Sequence, residues 1–170
     1  ARSMLEQTRD HALLPQVKWL QFDFNALTEI PHHIDKLFPS LSFFDLSFNQ
    51  IEKLDDLARL RNLTTLILSR NNLSSISSGT FRELPRLETV TLYFNRIHTV
   101  HKQAFENLQQ LQSMVLSKNS ITELHDGAFY NISFATNSLS MMLDQNSLKC
   151  LSSSSFRHIG SSKESEFALY

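Results

Sequence analysis

A single cysteine, Cys150, stands in the 170 residues, so no disulfide can close within the chain. Glycine is almost as scarce. Gly79, Gly127 and Gly160 are the whole supply, which excludes a glycine-rich loop able to cradle phosphate. The motifs G-x-S-x-G, H-E-x-x-H and C-x-x-C are all missing. No catalytic residue, metal or other cofactor is therefore expected. No apolar run approaches the roughly 20 residues that cross a bilayer, so no membrane-spanning segment is expected in this chain. The opening stretch ARSMLEQTRDHALL has neither the basic start nor the apolar centre of a signal peptide. With a formal net charge of −1 and scattered Lys and Arg, there is no basic stripe to attract nucleic acid. What remains is 41% hydrophobic and 19% charged, the composition of one globular unit with a core.

What the chain does contain is a period. Aligned on asparagine, the pattern apolar-x-x-apolar-x-apolar-x-x-Asn-x-apolar occurs as VKWLQFDFNAL, LSFFDLSFNQI, LTTLILSRNNL, LETVTLYFNRI and LQSMVLSKNSI. A sixth copy, SLSMMLDQNSL, carries Ser138 at its first apolar position. The asparagines are Asn25, Asn49, Asn71, Asn95, Asn119 and Asn146, spaced by 24, 22, 24, 24 and 27 residues. A second register repeats with the first. Ten residues after an asparagine stand Phe81, Phe105, Phe129 and Phe156, and three further on Leu84, Leu108, Ile132 and Ile159.

Alternation of apolar and other residues before each asparagine makes a short strand. One such unit cannot bury its apolar side alone, so successive units must stack and pair their strands in parallel. After each strand the chain turns inside the stack, where water cannot satisfy the backbone. An asparagine amide can donate to a carbonyl and accept from an N–H of the neighbouring turn, so the six asparagines are expected to form a structural ladder.

Two units depart from the pattern. The second, NQIEKLDDLARLRNL, lacks the late Phe and spaces Leu54, Leu57, Leu60 and Leu63 by three, which predicts a 3₁₀ or helical turn. The fifth carries three extra residues around YNISFATNS, including Phe134, which are expected to bulge as a loop. At the ends, Leu5, Leu13 and Leu14 could cover the first strand, and Phe167 and Leu169 could form the inward pair of a seventh. The expected organisation is an N-terminal cap or flank at 1–16, about six repeats at 17–161, and a partial C-terminal strand or flank at 162–170.

The pattern resembles the leucine-rich repeat family over Val17 to Ile159. The resemblance implies an α/β fold: a right-handed solenoid with a curved parallel sheet on its concave face and short turns, 3₁₀ or helical segments on its convex face. The 24-residue form with the late Phe looks like the repeats of receptor, adhesion and matrix ectodomains, among them hormone and relaxin receptors, Toll-type receptors and Slit-type proteins. It implies non-catalytic recognition of a protein or peptide ligand, outside the cell or at its surface. The short second unit and the lone cysteine are more like an intracellular scaffold or regulatory subunit, which stays open as the alternative. Asn62, Asn72 and Asn131 head N-x-Ser/Thr sequons and are glycosylation candidates in the first setting.

Because the leucines of each strand point inward, the alternate positions point to the concave face. Those positions, with the residues just before the asparagines, supply Trp19, Asp23, Phe24, Phe43, Asp45, Phe48, Ile67, Arg70, Tyr93 and Phe94 as candidate partner-binding residues. Ser47, Ser69 and Ser117 are expected to face outward beside them. At about 4.8 Å per strand, six strands span roughly 24 Å, a width suited to a protein or peptide. A dimer formed through this face or through the open solenoid ends is a further expectation. His101 and His125 each follow a ladder asparagine by six residues, close to His98 and Asp126; solvated turn histidines are expected there, with metal binding or pH sensing as the alternative.

Overall fold

The computed structural model describes residues 14–55, 57–132, 139–156, 159 and 168–169. Leu5, Leu13, Phe134 and Phe167 lie outside the described residues. The strands are β1 (Trp19–Gln21), β2 (Phe43–Asp45), β3 (Thr65–Ile67), β4 (Ser75–Ile76), β5 (Thr89–Thr91), β6 (Thr99–Val100), β7 (Phe105–Glu106), β8 (Ser113–Val115), β9 (Glu123–Leu124), β10 (Phe129–Tyr130), β11 (Ser140–Met142) and β12 (Ala168–Leu169). One parallel sheet runs β1-β2-β3-β5-β8-β11-β12, so each coil of the solenoid contributes one strand.

The register shows why the period is what it is. Leu20 pairs with Phe44, Phe44 with Leu66, Leu66 with Val90, Val90 with Met114 and Met114 with Met141, so equivalent residues of successive coils stand side by side. From Phe44 onward this middle row is buried, with the flanking rows half-exposed or exposed. Leu169 pairs with Met141 in the same row, which places β12 as the seventh strand.

Behind the sheet runs a column of phenylalanines. Phe105 stacks on Phe81 with centroids 4.6 Å apart and on Phe129 at 5.4 Å, and Phe129 stacks on Phe156 at 5.4 Å. Phe81, Phe105 and Phe129 are fully buried. Each such ring contributes about 3 to 5 kcal/mol, the usual loss when one is truncated.

The convex face differs from the expectation of turns and helical segments alone. Helix α1 (Ile34–Leu37) belongs to the first unit, and 3₁₀ turns occur at Leu57–Arg59 and Ser153–Phe156. Between them the convex path is paired strand: β4-β6-β9 form a second parallel sheet, and β7 pairs with β10. Units of equal length repeat the same backbone path and can pair along it, as Thr99 does with Glu123, 24 residues on. The second unit is two residues shorter and cannot match that path, so it folds as a 3₁₀ turn that buries Leu57 and Leu60. In the convex turn that precedes each phenylalanine, Gly79, Gln103 and Gly127 share one register and one left-handed conformation, with φ of 74°, 55° and 67°. Glycine adopts this freely, whereas Gln103 holds it at a cost of about 1 kcal/mol.

The asparagines close the stack from the inside. Asn95 Nδ2 donates to Leu92 O in its own coil and to Leu68 O in the preceding one, while its Oδ1 accepts from Leu73 N at 3.1 Å. The same cross-coil pair of bonds recurs at Asn49, Asn71, Asn119 and Asn146. Asn25 is the exception. It is exposed and its amide donates only to Phe22 O and Asp23 O, within its own turn, so it makes half a rung. Its cross-coil partner would have to come from a preceding coil, and none is among the described residues.

Candidate functional site

The residue immediately before each ladder asparagine is where the chain leaves the strand. All six of these residues are left-handed: Phe24, Phe48, Arg70, Phe94, Lys118 and Gln145 have φ between 53° and 58°. In the first five the N–H donates to the next coil, as Phe48 N does to Ser69 O and Arg70 N to Tyr93 O. The conformation also throws the side chain out at the edge of the concave face. Phe24 is 70% exposed, Phe48 40% and Phe94 47%.

Because the coils repeat at strand spacing, these side chains meet. Phe24 and Phe48 stack with centroids 4.1 Å apart and planes 14° from parallel. Arg70 follows, its guanidinium carbon 5.1 Å from the Phe48 centroid and 4.5 Å from that of Phe94. Phe94 leans on Tyr93, centroids 6.1 Å apart, and Lys118 Nζ lies 5.3 Å from the Tyr93 centroid. The result is one continuous run of ring, ring, cation, ring, ring, cation. A second pair stands on the sheet itself, where Trp19, 71% exposed, stacks on Phe43 at 4.9 Å.

The remaining candidates are placed less uniformly. Ile67 is half-buried on the row that joins Asp45 to Thr91, and Asp23 is half-buried after β1. Asp45 is engaged locally, its Oδ1 accepting from Ser47 N at 2.8 Å and Ser47 Oγ at 2.6 Å. Ser47 and Ser117 are buried, contrary to the expectation that they face outward. Both sit past the end of three-residue strands, where alternation has stopped; the Ser47 hydroxyl donates back to Asp45 and that of Ser117 donates to Asp144 of the next coil.

Lys118 is the member of the run that sequence reasoning leaves out of the binding set. The signal that finds it is the shared register before the asparagine. The left-handed conformation of the column has no signature of its own, since phenylalanine and arginine are not the residues that announce it.

Other sequence-derived candidates fall elsewhere. Asn62 is half-buried with its amide committed, Nδ2 donating to Pro39 O at 2.9 Å and Oδ1 accepting from Arg86 Nη1 at 3.1 Å. Asn72 lines a shallow groove with Ser74, Gly79 and Arg96. Asn131 is exposed and donates to Asn107 Oδ1 at 2.6 Å. His101 and His125 meet edge to face at 4.9 Å, and His125 Nε2 lies 3.3 Å from Glu123 Oε1. Among the described residues no group of three or more His, Cys, Asp or Glu side chains is disposed to hold a metal ion, and no helix is long and apolar enough to cross a membrane.

The sequence matches the leucine rich repeat family model at residues 15–73, 39–95 and 85–134. No curated protein sequence matches the chain. Among solved structures it is similar to a leucine-rich repeat protein of Leptospira interrogans, at 25% sequence identity and a TM-score of 0.68, over 92% of this chain and 40% of that one. The chain thus spans about two fifths of that protein's length. Arrays of this fold commonly mediate protein interaction and are typically non-enzymatic scaffolds. The chain belongs to the leucine-rich repeat family.

Proposed function

We propose that the chain is a non-catalytic recognition module that binds a protein or peptide across its concave sheet and the aromatic edge beside it. The observation that carries this is the run from Phe24 to Lys118, in which large apolar rings are solvent-exposed, mutually stacked and held at left-handed backbone positions. Each such conformation costs about 1 kcal/mol for a residue with a side chain, and glycine would remove the cost. The exposed parts of Phe24, Phe48 and Phe94 would form the apolar centre of the roughly 800 Å² that one partner contributes to a standard interface.

The setting we favour is the ectodomain of a receptor, adhesion or matrix protein. The Phe-bearing 24-residue coils and the exposed asparagine of the sequon at Asn131 support it. An intracellular scaffold is the second reading, supported by the shorter second coil and the exposed thiol of Cys150. Mass spectrometry for glycans on Asn62, Asn72 and Asn131 in the natural protein from its own cells separates them: occupancy at Asn131 is expected, and an unmodified, unsecreted protein overturns the ectodomain assignment.

The interface itself is tested by placing a photo-crosslinking residue at Phe48, or at exposed Lys102 on the convex side, in the natural full-length protein. Partner adducts should form from Phe48 and not from Lys102; the reverse pattern contradicts the proposal. Adducts between two copies of this chain would identify the partner as a second copy.

A further inference from the structure

We infer that Arg70 is a receptor for a carboxylate carried by the partner, flanked there by apolar side chains. This rests on the concave edge being the interface. The Arg70 side chain is exposed, and its guanidinium carbon lies 5.1 Å from the Phe48 centroid and 4.5 Å from that of Phe94, so the cation is held between two rings. Its five N–H donors lie in one plane, as a rigid fork. Among the described residues that guanidinium has no hydrogen-bond or ion-pair partner.

The obvious internal partners are committed elsewhere. Asp45, one strand before Arg70, accepts from Ser47 N and Oγ, and Asp144 accepts from Ser117 Oγ. The column therefore displays a permanent charge, already oriented by its two rings, with its hydrogen-bonding capacity unspent. A planar carboxylate matches that fork with two parallel bonds, and an oriented fork loses less freedom on binding than a loose one.

The rings on either side define the rest of the ligand. Phe24 and Phe48 lie on one flank, Phe94 and Tyr93 on the other, so aliphatic or aromatic side chains on both sides of the acidic one would be covered. Lys118 is held over a different ring, Tyr93, and offers a separate single charge further along. Two separate single cations suit an acidic and apolar peptide strip better than one compact polyanion. The ligand class is a peptide segment or protein loop with Asp or Glu between apolar residues.

The test uses short synthetic peptide libraries that differ only in a fixed Glu or Gln between two leucines, the remaining positions being randomised without acidic residues. They are titrated against the full chain and its Arg70→Gln, Arg70→Lys and Phe48→Ser variants. The Glu library is expected to bind the parent chain about tenfold more tightly than the Gln library. Arg70→Gln should bring that ratio close to one. Arg70→Lys should keep only part of it, since an ammonium lacks the fork. Phe48→Ser should weaken both libraries. Equal binding of the two libraries, or a Glu preference that survives Arg70→Gln, overturns the carboxylate role and leaves the interface standing. Failure of both libraries to bind, or binding indifferent to Phe48→Ser, overturns the interface and this inference with it.

Discussion

The guanidinium of Arg70 lies over the ring of Phe94, its central carbon 4.5 Å from the ring centre, and neither residue contributes to the buried core. Phe94 is 47% exposed at its left-handed turn, whereas Phe81, Phe105 and Phe129 of the internal column are fully buried. Core and edge can therefore be altered independently.

Asn95→Ala removes the bonds to Leu68 O and Leu73 N and strands both groups inside the stack. The variant should be less stable by about 1 to 3 kcal/mol in chemical denaturation. Asn25→Ala, which loses only bonds within an exposed turn, should cost clearly less. Equal losses at the two positions would show that the cross-coil bonds do not carry the stability.

Phe105 is enclosed by Phe81 and Phe129 on its two faces. Truncation to Ala opens a cavity in the middle of the column and should cost about 3 to 5 kcal/mol. The check is the denaturation midpoint together with its slope. An unchanged slope with a lowered midpoint is expected, and an unchanged midpoint would contradict the column's role in the core.

Gln145 is exposed and held at φ 55°, where a side chain is a burden. Gln145→Gly should stabilise the protein by about 0.5 to 1 kcal/mol, raising Tm by roughly 1 to 4 °C. Gln145→Val should do the opposite, since a β-branched residue tolerates the left-handed region worst. A loss of stability with glycine would show that this turn is not strained.

Much of this was legible before any coordinates. The position of Asn71 is one case: a buried polar residue at a fixed offset from Leu66 and Leu68, repeated in every unit, has few explanations besides a backbone bridge. Phe105 is another, since its offset from Asn95 recurs at Phe81 and Phe129. The convex strands were not legible, because Ser75–Ile76 and Thr99–Val100 are two residues long and too short to show alternation. Ser47 misleads for the same reason: alternation extrapolates past Asp45, where the strand has already ended. At the candidate site, the adjacency of Phe24, Phe48, Arg70 and Phe94 follows from register alone. The stacking of Arg70 between two rings does not, since it depends on the turn conformation and the rotamer.

The concave edge is tested most directly by Phe48→Ser and Phe94→Ser, each measured for thermal unfolding and for affinity to the natural partner on the same preparations. Both rings project into solvent, so unfolding should shift by only a few degrees, while binding weakens by at least about 1 kcal/mol for each. Unchanged affinity in two well-folded variants, or unfolding of both, would contradict the account.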